Sequence, residues 1–347
     1  MNLYVYRTGI LSGAGNNSEE GFLRTVPDYH TDRLLCLEPD YKAYIPPMQL
    51  RRMSKAVRMG IGAAKMAVGD THADAISVGT AFGCLQDTEI FLSKMVEQEE
   101  QMLTPTAFIQ STHNTVAGQI ALLTNCHGHN LTYVHRGYSF EHAMIGAQLH
   151  LKEHPNQSML VGGIEELTET SIEVLKQAKV YRKESSTPGS ILEESREGSI
   201  AGEGSAFFLV GNEPKEKNGL AIKDISCFTT RDSDTALQGV TDFLRSNNLS
   251  KDDIDLGVLG INGDKRSAVF YGALREEMLN TCSQAAFKHL CGEYPVASSF
   301  ALGMIAEAVS SGLAESSILN HPPKNLNRIL LINNFLDHYS CWYLSTQ

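Results

Sequence analysis

Short apolar runs that end in small residues recur along this chain, each separated from the next by a stretch of helical periodicity. Ala75-Ile76-Ser77-Val78-Gly79-Thr80, Met159-Leu160-Val161-Gly162 and the run 205–210 show it most clearly. A run this short, apolar without alternation, reads as a strand buried on both faces, and strands of that kind belong to sheets covered by helices. The first series predicts strands at 3–6, 75–80, 131–135, 158–162 and 205–210. Between them it predicts helices over 51–69, 87–99 and 139–153, and one more after a cap at Ser111 or Thr112. The first helix carries Met53, Val57, Ile61, Ala64 and Val68 on one face, and Gly69 stops it. A second series follows, with strands at 220–228, 256–262, 328–333 and 340–345 and helices at 233–247, 267–279 and near 301–312. The charged turn Lys215-Glu216-Lys217-Asn218-Gly219 separates the two, so the chain is expected to form two α/β halves, 1–214 and 219–347.

Charge narrows the partners. Twenty-nine basic residues stand against 40 acidic ones, a net charge of −11. A nucleic-acid backbone or an anionic membrane needs a basic field, so neither is an expected partner. No window holds ~18 uncharged apolar residues, and no membrane insertion is expected. Met1-Asn2-Leu3-Tyr4-Val5-Tyr6-Arg7 lacks the basic and apolar regions of a signal peptide. Seven cysteines, an odd number with no CxxC pair, read as reduced thiols in a cytoplasmic protein. The histidines show no HExxH spacing. No metal and no cofactor is expected.

Four segments, taken in order, resemble the β-ketoacyl synthases of the thiolase fold. They are Thr104-Pro105-Thr106-Ala107-Phe108 with Asn114-Thr115-Val116-Ala117-Gly118-Gln119-Ile120-Ala121; Gly128-His129-Asn130-Leu131-Thr132-Tyr133; Gly162-Gly163-Ile164-Glu165-Glu166; and Arg196-Glu197-Gly198 with Gly202-Glu203-Gly204-Ser205-Ala206. The resemblance spans residues about 50–210; beyond them it rests on the order of elements. It implies a thiolase-like α/β fold of two pseudo-duplicated halves, layered as sheets and helices, that works as a dimer.

A ketosynthase of this family needs a nucleophilic cysteine at the start of a helix, where the N-terminal amides lower the thiol pKa and hold an oxyanion. The matching stretch here is Tyr133-Val134-His135-Arg136-Gly137-Tyr138-Ser139, which puts Gly137, give or take one residue, at the cysteine's position. The two family histidines are matched by Asn262, in Ile261-Asn262-Gly263-Asp264, and by Glu293, in Lys288-His289-Leu290-Cys291-Gly292-Glu293. The last loop, Asn333-Asn334-Phe335-Leu336-Asp337-His338-Tyr339, lacks the family's glycines, which puts a left-handed backbone there in doubt. These three catalytic positions are degenerate, and no catalytic residue is expected.

The family contains such chains: chain-length factors, which pair with an active ketosynthase in type II polyketide systems. The segment around Pro105 resembles the version found with aryl polyene and flexirubin-type pigments. The resemblance therefore implies a heterodimer with an active ketosynthase, served by acyl carrier protein. Phe108, Ile109, Thr112 and Val116, on one helix, would line the acyl tunnel. Leu131, Thr132, Tyr133, Val134 and His135, on the strand before the lost nucleophile, would form the dimer interface. His135 and Arg136 approach an electropositive helix start that suits a carrier-protein phosphate or a partner carboxylate. An alternative is a homodimeric acyltransferase, hydrolase or decarboxylase acting on carrier-protein thioesters through Ser139 or His135, with His142 at i, i+3 from Ser139 as a base. A homodimeric scaffold that binds carrier protein without turnover is a third reading.

Overall fold

The computed structural model describes residues 2–19, 22–24, 26, 28–215 and 219–346. Ten strands carry the architecture. In chain order they are β1 (Leu3–Ser12), β2 (Ala75–Gly79), β3 (Asn130–Tyr133), β4 (Met159–Glu165), β5 (Gly204–Gly211), β6 (Leu220–Thr229), β7 (Leu256–Leu259), β8 (Ser283–Ala286), β9 (Arg328–Phe335) and β10 (His338–Thr346). All belong to one eleven-stranded sheet, whose remaining member is the short strand Gly15–Asn16 beside β1.

The strand order exposes an internal duplication. From the middle of the sheet outward, the first half runs β1-β5-β4-β2-β3 and the second runs β6-β10-β9-β7-β8. In each half the first two pairings are antiparallel and the last two parallel. The halves meet where β1 pairs β6, with Leu3 opposite Ile222 and Tyr4 opposite Ala221. The boundary turn itself has only its ends, Lys215 and Gly219, among the described residues, since 216–218 lie outside them.

Helices cover both faces, as doubly buried strands require. Helices Ser139–Glu153 and Ala297–Ser311 occupy equivalent places in the two halves, before β4 and before β9, and share the largest apolar core. There the Phe140 ring stacks on the Trp342 indole at 5.5 Å. On the other face, Lys55–Val68 and Thr115–Thr124 pack on the first half, and Ser233–Ser246 packs on the second. Gly69 ends the helix Lys55–Val68 with a φ of 55°, as its sequence position predicts.

Several boundaries differ from the sequence reading. The helix expected from residue 51 begins at Lys55, behind Ser54. The strand expected over 131–135 ends at Tyr133, because the chain turns at His135 into a short 3-10 turn, Arg136–Tyr138. The helix expected over 267–279 runs from Lys265 to Ala273 and then widens into a π turn. Strand β8 was not foreseen at all, because Ser283-Gln284-Ala285-Ala286 carries no β-branched or aromatic residue.

Candidate functional site

In an open α/β sheet the crevice lies beyond the carboxyl ends of the parallel strands. Asn262 follows the end of β7, Glu293 lies beyond β8, and Asn334 is next to last in β9. The structure brings the three together. The Asn262 side-chain amide donates to Glu293 Oε2 at 2.7 Å. Lys288 Nζ donates to both Glu293 oxygens, at 3.0 and 2.8 Å, and to the Asn334 carbonyl at 2.6 Å. Asn262 Oδ1 accepts from the Ser267 hydroxyl at 2.8 Å and from the Asp264 amide at 3.0 Å. Lys288 and Glu293 are buried, with side chains 0% and 3% exposed. Burial pushes the Glu293 carboxyl up; the Lys288 ammonium and the Asn262 amide oppose it. A cavity of about 630 Å³ lies over this network.

Such an arrangement holds position rather than moving protons. The ammonium has three acceptors, the amide is bonded at both ends, and no imidazole is present at either position. Sequence reasoning placed Asn262 and Glu293 here but missed what Lys288 does. A lysine five residues before an acid is ordinary on a surface, and only the burial of both turns it into a fixed pair.

Gly137 lies buried in the Arg136–Tyr138 turn that opens helix Ser139–Glu153. A Cβ placed on it would stand 2.9 Å from Phe335 Cβ and 3.1 Å from His338 Cβ. A Cβ cannot rotate away, so a cysteine needs the hairpin β9–β10 to move. The residues on either side, Arg136 and Tyr138, carry no thiol either. All seven cysteines are free, and burial raises the thiol pKa of Cys36, Cys84, Cys227, Cys282, Cys291 and Cys341. The hairpin turn keeps a left-handed residue in spite of its missing glycines. Leu336 adopts a φ of 56°, a backbone that costs an ordinary residue roughly 1–2 kcal/mol.

Residues 36–188 match the family model described as the β-ketoacyl synthase N-terminal domain. Over these residues the chain is similar to that domain. Its whole length superposes on solved ketosynthases. A β-ketoacyl synthase from Burkholderia phymatum STM815 aligns over 100% of this chain and 99% of its own, at 14% identity and a TM-score of 0.78. The ishigamide ketosynthase/chain length factor aligns over 100% and 99%, at 15% and 0.78. A ketosynthase in complex with its chain length factor from Xenorhabdus doucetiae aligns over 100% and 98%, at 15% and 0.77. At these identities the likeness shows the thiolase-like ketosynthase fold. No curated protein matches the sequence.

Two expectations for this ketosynthase-like chain fail on geometry. Ser139 is buried and its hydroxyl is already engaged, accepting from the His135 amide at 2.9 Å and donating to the Arg136 carbonyl at 2.8 Å. It caps the turn. His142 Nδ1 meets His135 Nδ1 at 3.2 Å instead. The second failure is the single tunnel helix. The chain forms two helices, Pro105–Gln110 and Thr115–Thr124, with Asn114 rather than Ser111 or Thr112 at the N-cap of the second. Phe108 and Ile109 are exposed on the first, and the Phe108 ring rests 5.6 Å from that of Phe91. Thr112, in the break, bonds the Ile109 carbonyl at 3.1 Å. Val116 is buried in the first half's core, against Gly60. The four do not share a face, because the turn at 111–114 interrupts the helical phase.

Among the described residues strand β3 is the outer edge of the sheet, pairing only β2. Leu131 and Val134 are 44% and 48% exposed. The amide of Ile76 donates to the His129 carbonyl and that of Thr80 to the Tyr133 carbonyl, so odd-numbered residues face β2. The backbone groups of Asn130 and Thr132 therefore face outward. His135 lies past the strand's end.

The end of β4 holds buried acids that the sequence reading left without a role. Glu165 accepts from the Thr80 hydroxyl at 3.1 Å, the Phe82 amide at 3.3 Å and the Ala81 amide. Glu166 accepts from the Ala56 and Gln86 amides, at 3.1 and 3.0 Å, and so ties down the first turns of helices Lys55–Val68 and Leu85–Glu97. Burial pushes the two carboxyls up to about 8 and about 7.

Proposed function

We propose that this chain is the non-catalytic, chain-length-factor partner of an active β-ketoacyl carrier-protein synthase, working in type II polyketide or fatty-acid-like biosynthesis of the aryl polyene kind. The observation that carries the reading is the locked trio Asn262, Glu293 and Lys288 beside a glycine that leaves no room for a nucleophile. The active partner would supply the cysteine and both histidines, and take acyl groups from acyl carrier protein. This chain would supply the matching edge strand through Leu131, Thr132, Tyr133 and Val134, with His135 beside it. Phe108 and Ile109, exposed and unsupported by a core of their own, suit a role in shaping the tunnel end at the partner. Thr112, bonded to the Ile109 carbonyl, and Val116, in the core, only hold the backbone behind them.

The engaged hydroxyl of Ser139 and the absence of a bond between it and His142 weigh against an independent acyltransferase or hydrolase. The test is co-expression with an active ketosynthase, one with an intact cysteine, from the same genome, followed by size-exclusion chromatography. A stoichiometric heterodimer is expected. A chain that elutes as a homodimer in the presence of that ketosynthase overturns the reading.

A further inference from the structure

The cavity above the locked trio has a charge balance that the proposed function does not use. Three of its acids are neutralised in place. Asp337 faces Arg231 Nε at 3.3 Å, Asp264 is bonded by the Arg266 guanidinium, and Glu293 holds Lys288 at 2.8 Å. Arg136 also lines the cavity, and among the described residues it has no acidic partner. With Lys288 beneath the floor counted, four cations stand against three carboxylates and leave one positive charge, in a chain whose net charge is −11. The same cavity has an apolar wall of Val180, Phe335 and Leu336. Its volume, about 630 Å³, falls within the range of about 300–1,000 Å³ typical of small-ligand pockets.

We infer that this cavity is a non-covalent binding site for an amphipathic monoanion, a carboxylate with an apolar tail, held by Arg136. A guanidinium pairs a carboxylate through two parallel N–H···O bonds, and one unpaired charge matches one carboxylate. A dianion would be left with an uncompensated charge. The buried pair beneath serves as a neutral floor, and the tail would lie along Phe335 and Leu336. A site whose nucleophile and histidines are lost would thus keep its cavity as a receptor, with no bond made or broken.

The test needs only the full-length purified chain, so its failure is distinct from failure of the partner reading. Titrate decanoate and decanol by calorimetry into wild type, Arg136→Gln, Arg136→Lys and Arg245→Gln. Decanoate should bind and decanol should bind far more weakly. Arg136→Gln should weaken decanoate by at least about tenfold, the loss expected for one charge-assisted pair. Arg136→Lys should recover part of that loss, and Arg245→Gln, whose arginine is exposed, paired with Asp242 and outside the cavity, should leave the affinity unchanged. Equal thermal melts show that the variants fold. Acyl carrier protein, with and without its phosphopantetheine, separates a free carboxylate from a carrier-borne phosphodiester. No decanoate binding, binding indifferent to Arg136, or an Arg136-dependent response to the phosphopantetheinylated carrier alone overturns the inference.

Discussion

The side-chain amide of Asn262 donates to Glu293 across 2.7 Å, which joins the two positions where the resemblance to ketosynthases expects histidine. Lys288 completes the group from below. The buried pair is worth little against an apolar replacement, but breaking it is costly. Lys288→Met leaves Glu293 buried and unpaired and should destabilise the chain by about 3–5 kcal/mol in urea melts. The double variant Lys288→Met with Glu293→Met should recover most of that loss. A single variant as stable as wild type would mean that the carboxyl is already neutral.

Gly137→Cys tests whether the site can be restored. The new Cβ meets Phe335 and His338, so the variant should lose about 1–3 kcal/mol, the usual range for overpacking. It should form no condensation product without a partner, since neither Asn262 nor Glu293 can act as the missing imidazole. Product made by this variant alone would relocate the catalytic histidines.

Glu165 gives a pH signature. Its folded pKa of about 8 lies above the ordinary carboxyl value, so its contribution is complete at acid pH and is lost as pH rises through 8. Burial pushes His129, His142, His289 and His338 down, and they lose stability in the opposite direction, as pH falls through the ordinary imidazole range. Between about pH 7 and 8.5 the carboxyl therefore dominates. Wild type should lose stability across this window and Glu165→Gln should lose less. Parallel stability curves for the two would show that Glu165 is ionised throughout.

Thr132→Pro addresses the edge of the sheet. Residue 132 presents its backbone outward on β3, whereas residue 133 bonds β2. A proline at 132 should therefore release the partner while leaving the fold intact, read by size exclusion and circular dichroism together. An unchanged apparent mass places the interface elsewhere.

Two positions assigned to the tunnel should part ways. Val116→Ala removes packing against Gly60 and should cost about 0.5–3 kcal/mol without altering products. Phe108→Ala touches only an exposed ring and should leave stability unchanged while lengthening products of the reconstituted pair. One added two-carbon unit buries two methylenes, roughly 1.6 kcal/mol or about a tenfold shift. An unchanged product profile for Phe108→Ala and Ile109→Ala would leave the tunnel to the partner.

Much of the fold was legible because the parallel strands β2, β4, β7 and β9 must be apolar on both faces, and their runs say so. Strand β8 was not, since its small residues take their burial from neighbours that the local sequence cannot name. Asn262 and Glu293 were singled out by the resemblance to ketosynthases, but their contact joins residues that lie 31 apart in the chain. The break at 111–114 was hidden because Ser111, Thr112 and Asn114 suit a helix cap at several registers. Arg136 stood out by position, yet that no acid among the described residues pairs with it is a property of the folded surroundings and not of the local sequence.

The central claim is that this chain takes no covalent acyl group while its partner does. Intact mass of both chains, after the reconstituted pair is incubated with acylated carrier protein, tests it most directly. An acyl adduct on the ketosynthase and unmodified mass for this chain is the predicted result. A stable adduct on this chain would contradict it.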